Sequence, residues 1–241
     1  MVVKTLEIET EKERRAKKNS KARLLRAETW MEGAKQVDEN IKLQGKNKKI
    51  ADSAISFVLW WIAFEATYKK RQKNRKTNEL HAFISDIGRN QKQKEELKKI
   101  LGECQKEACN LVSLPYIHIG FWQNRKTKKG RQYKDAKEWR KKFKEIETTY
   151  NDDNTDILEK IKTLFSRLQV ARNQIFHGAN SRGDSWGLTQ TQEGVKILRI
   201  FVPYFIKQIK KNPDHDWGEV LFPHVGKKRD DDNIDPLWSK S

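Results

Sequence analysis

Hydrophobic residues recur along this chain at intervals of three and four positions, which is the spacing of helices that are buried on one side. The most apolar stretch, 51–69, is hydrophobic on nearly every side, which predicts a central and buried helix. Narrower apolar stripes predict further helices at 77–88, 95–112 and 190–211. The pattern therefore predicts an all-α fold.

A further helical stripe leads into an unusual polar cluster. Its apolar members are Ile157, Leu158, Ile161, Leu164, Phe165 and Leu168. The Asn and Asp residues at 151–156 provide an N-cap for this helix, and Gly178 predicts its end. The stripe continues through Arg172 to Ile175 and Phe176, so a cation stands where a core residue is expected. Burying an unpaired Arg is costly, and we therefore expect a counter-charge, a hydrated cleft or a ligand beside it.

The spacing of three polar residues at the end of this helix predicts their geometry. Asn173 and His177 are four positions apart and share one face, so the Asn side chain could orient the imidazole by a hydrogen bond. Arg172 and His177 are five apart, and their directions on an ideal helix differ by about 140°. Arg172 and His177 could both contact one phosphate only if the Arg172 side chain extended around the helix or if a second copy of the helix supplied one of the two groups. The spacing therefore favours a site completed by a dimer partner.

Three stretches of the chain together resemble the HEPN superfamily. Arg172-Asn173-Gln174-Ile175-Phe176-His177 resembles the family's R-x4-6-H motif. The stretch Phe57-Val58-Leu59-Trp60-Trp61-Ile62-Ala63-Phe64-Glu65-Ala66-Thr67-Tyr68 is similar to the family's earlier core helix. Pro213-Asp214-His215-Asp216-Trp217-Gly218-Glu219, with Pro223, is similar to the C-terminal signature of small stand-alone bacterial HEPN proteins. The resemblance covers roughly residues 51–225.

The resemblance implies an all-α HEPN bundle that forms a two-fold homodimer and cuts RNA without a metal or other cofactor. Carried over to this chain, His177 acts as the acid/base, Arg172 holds the scissile phosphate, and Asn173 positions His177 or the phosphate. The implied products are 2′,3′-cyclic phosphate and 5′-hydroxyl ends. The implied setting is toxin or anti-phage defence, with tRNA or mRNA as target and an antitoxin or defence protein as a further partner. Relatives usually carry Asn-Arg in the loop after the motif, whereas this chain reads Trp186-Gly187-Leu188-Thr189, so that Arg has no counterpart here.

Glu65, inside the most apolar helix, has two interpretations. It lies four residues before Lys69, which is the spacing of an ion pair along one helix. Alternatively, it lies across from Arg172 and supplies the counter-charge that the motif helix needs. Only the second arrangement makes Glu65 a supporting residue of the site.

The chain has 241 residues and a formal net charge of +18, which favours a polyanionic partner such as RNA. The cations concentrate at 69–76 and in a basic insert at about 120–150, and a solvated surface is the alternative interpretation. The residues predicted to contact RNA are Lys69, Lys70, Arg71, Arg125, Lys126, Lys128, Lys129 and Arg131. No apolar run is long enough to span a bilayer and the first 30 residues are charged, so we expect a cytoplasmic protein without membrane contact.

Other chemistry has little support in the sequence. Cys104 and Cys109 are too few for a disulfide framework and have no nearby His for a zinc site, so we expect free thiols. The histidines outside the motif are interpreted as structural or surface residues: His81, His118, His215 and His224. No phosphate-binding Gly-rich loop or Gly-x-Ser-x-Gly motif is present.

We divide the chain into a charged N-terminal arm at 1–30, a helical domain at 31–225 and a C-terminal tail at 226–241. Two alternatives to a nuclease remain open. One is a non-catalytic module that binds RNA or a nucleotide, for example as a subunit of a larger defence complex. The other is an interaction protein whose basic surface meets an acidic partner.

Overall fold

The computed structural model describes residues 10–43, 49–70, 78–118, 136–177 and 185–221. These residues form α-helices, one 3₁₀ turn at Pro115–Ile117 and an isolated bridge between Lys70 and Val220, so the predicted all-α class is confirmed. None of the described helices combines the length and the apolar character needed to cross a membrane. The helices are Glu11–Leu43 (α1), Lys49–Tyr68 (α2), Glu79–Ile87 (α3), Gln91–Glu103 (α4), Gln105–Val112 (α5), Ala136–Asn151 (α6), Ile157–Phe176 (α7) and Ser185–Lys211 (α8).

The helix α2 occupies the centre, as its sequence predicts. Its aromatic residues are almost completely buried, and Phe64 is the point where several helices meet. The ring centroid of Phe64 lies 4.6 Å from that of Phe165 on α7 and 5.6 Å from that of Phe205 on α8. It lies 6.4 Å from the ring centroid of Phe83 on α3. Tilted and edge-on ring contacts of this kind add to the stabilisation from burial.

The structure corrects the predicted helix boundaries in two places. The helix expected at 95–112 is broken at Cys104, whose backbone N–H donates to Leu101 O at 3.2 Å and ends α4. Buried residues continue on both sides of the break, so the apolar stripe of the sequence runs through it. The last helix begins at Ser185, five residues before the predicted start at 190. Within the basic insert, α6 is a helix that the sequence reading did not predict.

Helix α1 begins inside the charged N-terminal stretch and continues without a break past residue 30. It packs on α2 in part through small residues, since Ala27 and Ala34 are both 0% exposed and belong to the core. Trp30, by contrast, is 42% exposed. Small side chains allow close approach of two helices but leave no wide hydrophobic stripe in the sequence, which is why the docking of α1 was hard to predict.

Arg23 of α1 holds the C-terminal end of α2. Its guanidinium donates to Thr67 O at 3.3 Å, to Lys69 O at 2.8 Å and to Gly218 O at 2.9 Å. The last carbonyls of a helix have no partner within the helix, so these bonds satisfy groups that would otherwise be unpaired. Burial lowers the pKa of Arg23 to about 10, which leaves the side chain charged at neutral pH.

A buried carboxylate, Asp38, joins α1 to α2 and α8. It accepts hydrogen bonds from the Ser56 hydroxyl, from Trp60 Nε1 at 2.8 Å and from Arg199 Nε at 2.7 Å. Burial raises the pKa of Asp38, but the hydrogen bonds from Arg199, Ser56 and Trp60 outweigh burial and leave the pKa below its usual value. The carboxylate is therefore stabilised by the folded structure.

We predict that Asp38→Asn lowers the free energy of unfolding by about 2 kcal/mol at neutral pH, because charge-assisted hydrogen bonds are lost. The folded-state pKa lies below the usual 3.8, so this stabilisation is complete above that pH and is lost as the pH falls below it. Urea unfolding of both proteins over the acid range measures the difference. Asp214→Asn, which removes an exposed carboxylate, is the matched control. A difference between wild type and Asp38→Asn that stays constant down to the lowest pH would contradict the prediction.

Candidate functional site

The polar motif occupies the last two turns of α7. The helix begins as the sequence predicts, with the Asp156 side chain accepting from Leu158 N at 2.8 Å. It ends at Phe176, and His177 is the C-cap with φ −93° and ψ 10°. The backbone N–H of His177 donates to Asn173 O at 3.0 Å. Gly178, the predicted stop signal, lies outside the described residues.

Arg172 is half-buried and has a counter-charge. Its Nη2 lies 3.4 Å from Glu65 Oε2 across the contact between α7 and α2. Its Nη1 donates to Asn173 Oδ1 at 2.9 Å. Lys69, the other residue considered as a partner of Glu65, instead pairs with Glu79 at 3.3 Å. The structure thus places Glu65 where the cation of the motif needs it.

The structure corrects the expected roles of two neighbouring residues. Among the described residues, the Asn173 side chain makes no hydrogen bond to the imidazole, and its amide oxygen accepts from Arg172. His177 has left the helical conformation, so the register expected for an i, i+4 pair no longer applies to its side chain. Phe176 was expected on the inward stripe but is 53% exposed, and its ring lies 4.5 Å below the Arg172 guanidinium. An Arg followed four residues later by an aromatic was the signal for this stacked pair.

Within one chain, the two main groups of the motif face different surroundings. Arg172 is turned toward α2 by Glu65, whereas His177 is exposed beyond the last turn. The imidazole makes no side-chain hydrogen bond to the residues that the structure describes. An exposed imidazole can exchange protons with solvent or substrate near neutral pH, and a guanidinium can bind two phosphate oxygens. Groups suited to phosphate recognition and to proton transfer are therefore both present, the first engaged at α2 and the second exposed at the C-cap.

The residues predicted to bind RNA fall into two groups. Lys69 is partly exposed and engaged by Glu79, and Lys70 is half-buried at the bridge to Val220. The others lie outside the described residues: Arg71, Arg125, Lys126, Lys128, Lys129 and Arg131. Within the predicted basic insert, helix α6 carries an exposed basic surface. Its members are Arg140, Lys141, Lys142 and Lys144.

Among the residues that the structure describes, no group of three or more His, Cys, Asp or Glu side chains could hold a metal ion. Cys104 and Cys109 are free thiols, and burial raises the pKa of Cys104 to about 12. Comparison of the chain with protein-family models, curated proteins and solved structures found no match. The similarity to HEPN proteins therefore rests on the residues quoted from the sequence.

We predict that Glu65 and Arg172 are energetically coupled. In a double-mutant cycle of Glu65→Ala and Arg172→Ala, urea unfolding should give a coupling energy of about 1 kcal/mol, since the pair is more than two-thirds buried. The pair Lys141 and Glu145 on α6 is the control, because both side chains are largely exposed at 3.9 Å and should show almost no coupling. Additive effects of the Glu65 and Arg172 substitutions would argue against an ion pair in solution.

Proposed function

We propose that this protein is a metal-independent endoribonuclease of the HEPN type. The observation that carries the proposal is the end of α7, where an exposed imidazole follows a guanidinium held by Glu65 of α2. The basic net charge of +18 supports a polyanionic substrate. The role in toxin or anti-phage defence, with tRNA or mRNA as target, is proposed from the sequence resemblance alone.

In this proposal the nucleophile belongs to the RNA. The 2′-oxygen attacks the adjacent phosphorus, the new bond closes a 2′,3′-cyclic phosphate, and the bond to the 5′-oxygen breaks. His177 removes the proton from the 2′-hydroxyl or delivers one to the leaving oxygen, so the products carry cyclic phosphate and 5′-hydroxyl ends. Arg172 offsets the negative charge that grows on the phosphoryl oxygens. To reach the phosphate, its Nη1 exchanges the hydrogen bond to Asn173 for one to the substrate, while Glu65 keeps the side chain oriented.

The proposal includes a homodimer, and an apolar surface beside the motif supports it. Ile55, Leu59, Ile62 and Ala66 recur at helical spacing on one face of α2, which we call the α2 outer face. Ile55 is 51% exposed and the other three are half-buried, so the described chain covers this face only in part. Glu65 is a neighbour of these residues on α2, and it is linked to the exposed ring of Phe176 through Arg172. A second copy docked here would cover the apolar surface and bring a second α7 end to the site.

One feature favours the alternative of a non-catalytic RNA-binding module. Both terminal nitrogens of the Arg172 guanidinium already bind Asn173 or Glu65, and the third nitrogen, Nε, is buried without a partner. A binding module would bind RNA through the basic surface and would be indifferent to His177. Cleavage assays separate the two functions.

The first test is cleavage of an end-labelled mixed RNA pool in EDTA. We expect His177→Ala to lower the rate by roughly 100- to 10,000-fold, the usual contribution of an acid/base group. Arg172→Ala should lower it by roughly 100- to 1,000-fold, because charge stabilisation at the phosphate is lost. Gel mapping of the ends should show cyclic phosphate.

His215→Gln is the matched control, because this imidazole contacts Asp86 and Trp217 away from the motif and should leave the rate nearly unchanged. Equal cutting by all variants would place the activity elsewhere. Tight RNA binding without cutting by wild type would support the binding module instead.

A second test concerns the dimer. We expect wild type to sediment as a dimer at micromolar concentration and Ile62→Glu to sediment as a monomer with little cleavage, because a charge in the α2 outer face opposes docking. Leu25→Glu introduces the same change at a 56% exposed leucine of α1 and should remain dimeric and active. Circular dichroism checks that both variants are folded. A monomeric wild type that still cuts RNA would refute the dimeric site.

A further inference from the structure

The guanidinium of Arg167, on α7, is buried without a counter-charge in the part of the chain that the structure describes. The residue is 5% exposed, and neither Nε nor Nη2 has a hydrogen-bond partner. Arg23 is 0% exposed and donates from both terminal nitrogens to three backbone carbonyls, so only its Nε lacks a partner. Buried polar groups are almost always paired with protein, water or an ion, so the two unpaired nitrogens of Arg167 require an explanation.

The neighbours of Arg167 do not neutralise it. The ring of Phe143, on α6, lies 5.6 Å from the guanidinium and gives a weak cation–π contact. His118, just after the 3₁₀ turn, lies 5.9 Å from the same ring, measured between ring centroids. Burial and the charge of Arg167 lower the pKa of His118 to about 4, so this imidazole is neutral at physiological pH. Burial lowers the pKa of Arg167 to about 10, so the guanidinium itself stays charged.

Arg167 is part of a polar face of α7 rather than an isolated exception. Lys160, Arg167 and Gln174 are spaced seven residues apart, so they share one side of the helix. All three are more than nine-tenths buried. Gln174 donates to Tyr116 O at 2.6 Å, but its own side-chain oxygen has no partner. A face that served only as core would carry apolar residues at these positions.

We propose that Arg167 is the binding group of a phosphate site where α6, α7 and the 3₁₀ turn meet. The two unpaired nitrogens, Nε and Nη2, lie on one edge of the planar guanidinium and can donate two parallel hydrogen bonds to two oxygens of one phosphoryl group. The ligand is either a backbone phosphate of RNA or a free phosphate. This site does not depend on Arg172 or His177, so the experiments that test it are independent of the proposed RNA cleavage.

The test compares thermal unfolding in sodium phosphate and in sodium chloride at equal ionic strength. At phosphate concentrations about 100 times the Kd, the unfolding midpoint of wild type should rise by at least about 5 °C. Arg167→Met should abolish this rise and should raise the midpoint in chloride, because a buried unpaired charge has been removed. Lys141→Met removes one exposed charge of α6 and should keep the full rise.

Two further arms identify the source of the phosphate and exclude other anions. A 2′-O-methyl oligonucleotide, which has no 2′-hydroxyl to attack, replaces free phosphate in one arm, and sodium acetate replaces it in the other. An Arg167-dependent rise with the oligonucleotide but not with free phosphate assigns the site to RNA. An equal rise with acetate overturns the assignment to phosphate. No rise in any arm, or the same rise in Arg167→Met, overturns the site.

If Arg167→Met does not fold, Arg167→Lys replaces it, since Lys keeps the charge but not the two-nitrogen edge. A clearly smaller phosphate-dependent rise than in wild type then supports the proposal, and an undiminished rise overturns it.

Discussion

The contact between Phe64 of α2 and Phe165 of α7, with ring centroids 4.6 Å apart, determines the geometry around the motif. The same Phe64 ring also packs against α3 and α8, so its burial fixes α2 relative to three other helices. Glu65 is the next residue along α2, and Arg172 lies two helical turns beyond Phe165 on α7. Once the rings are buried, the carboxylate and the guanidinium face each other. The position of the polar pair is therefore a consequence of apolar packing.

Three arginines in this fold show three ways of burying a cation. Arg23 uses backbone carbonyls at the end of α2, and Arg172 uses Glu65 together with the ring of Phe176. Among the described residues, Arg167 packs against the face of Phe143, a contact worth far less than the several kcal/mol that desolvating a charge costs, and its Nε and Nη2 have no partner. A protein can retain such a group when a ligand compensates it. This contrast distinguishes a structural arginine from one that suits an anion.

The parts of the fold that depend on helical periodicity were predictable from the sequence. They include α2, α7 and the need for a counter-charge beside Arg172, because burial of an unpaired cation is costly whatever the fold. The docking of α1 was not predictable, since it uses alanines and the hydrogen bonds of Arg23 to carbonyls distant in sequence. The helix break at Cys104 was not predictable, because the apolar stripe of the sequence continues across it. The predicted hydrogen bond between the side chains of Asn173 and His177 is not observed among the described residues, because the backbone at a helix end departs from ideal helical geometry. The unpaired nitrogens of Arg167 were not predictable, because they depend on how α6 packs against α7.

The different surroundings of Arg172 and His177 follow from their positions on α7. Arg172 faces α2 and is held by Glu65, whereas His177 lies on the C-cap and is exposed. Fixing both groups on one side would require either exposing the cation or burying the imidazole, and either change would weaken phosphate binding or proton transfer. The proposed homodimer would remove this conflict, because the exposed imidazole of one chain could meet the guanidinium of the other across a two-fold axis. The same dimer interface would cover the α2 outer face. A single interface would then account both for the exposed apolar surface and for the separate positions of Arg172 and His177.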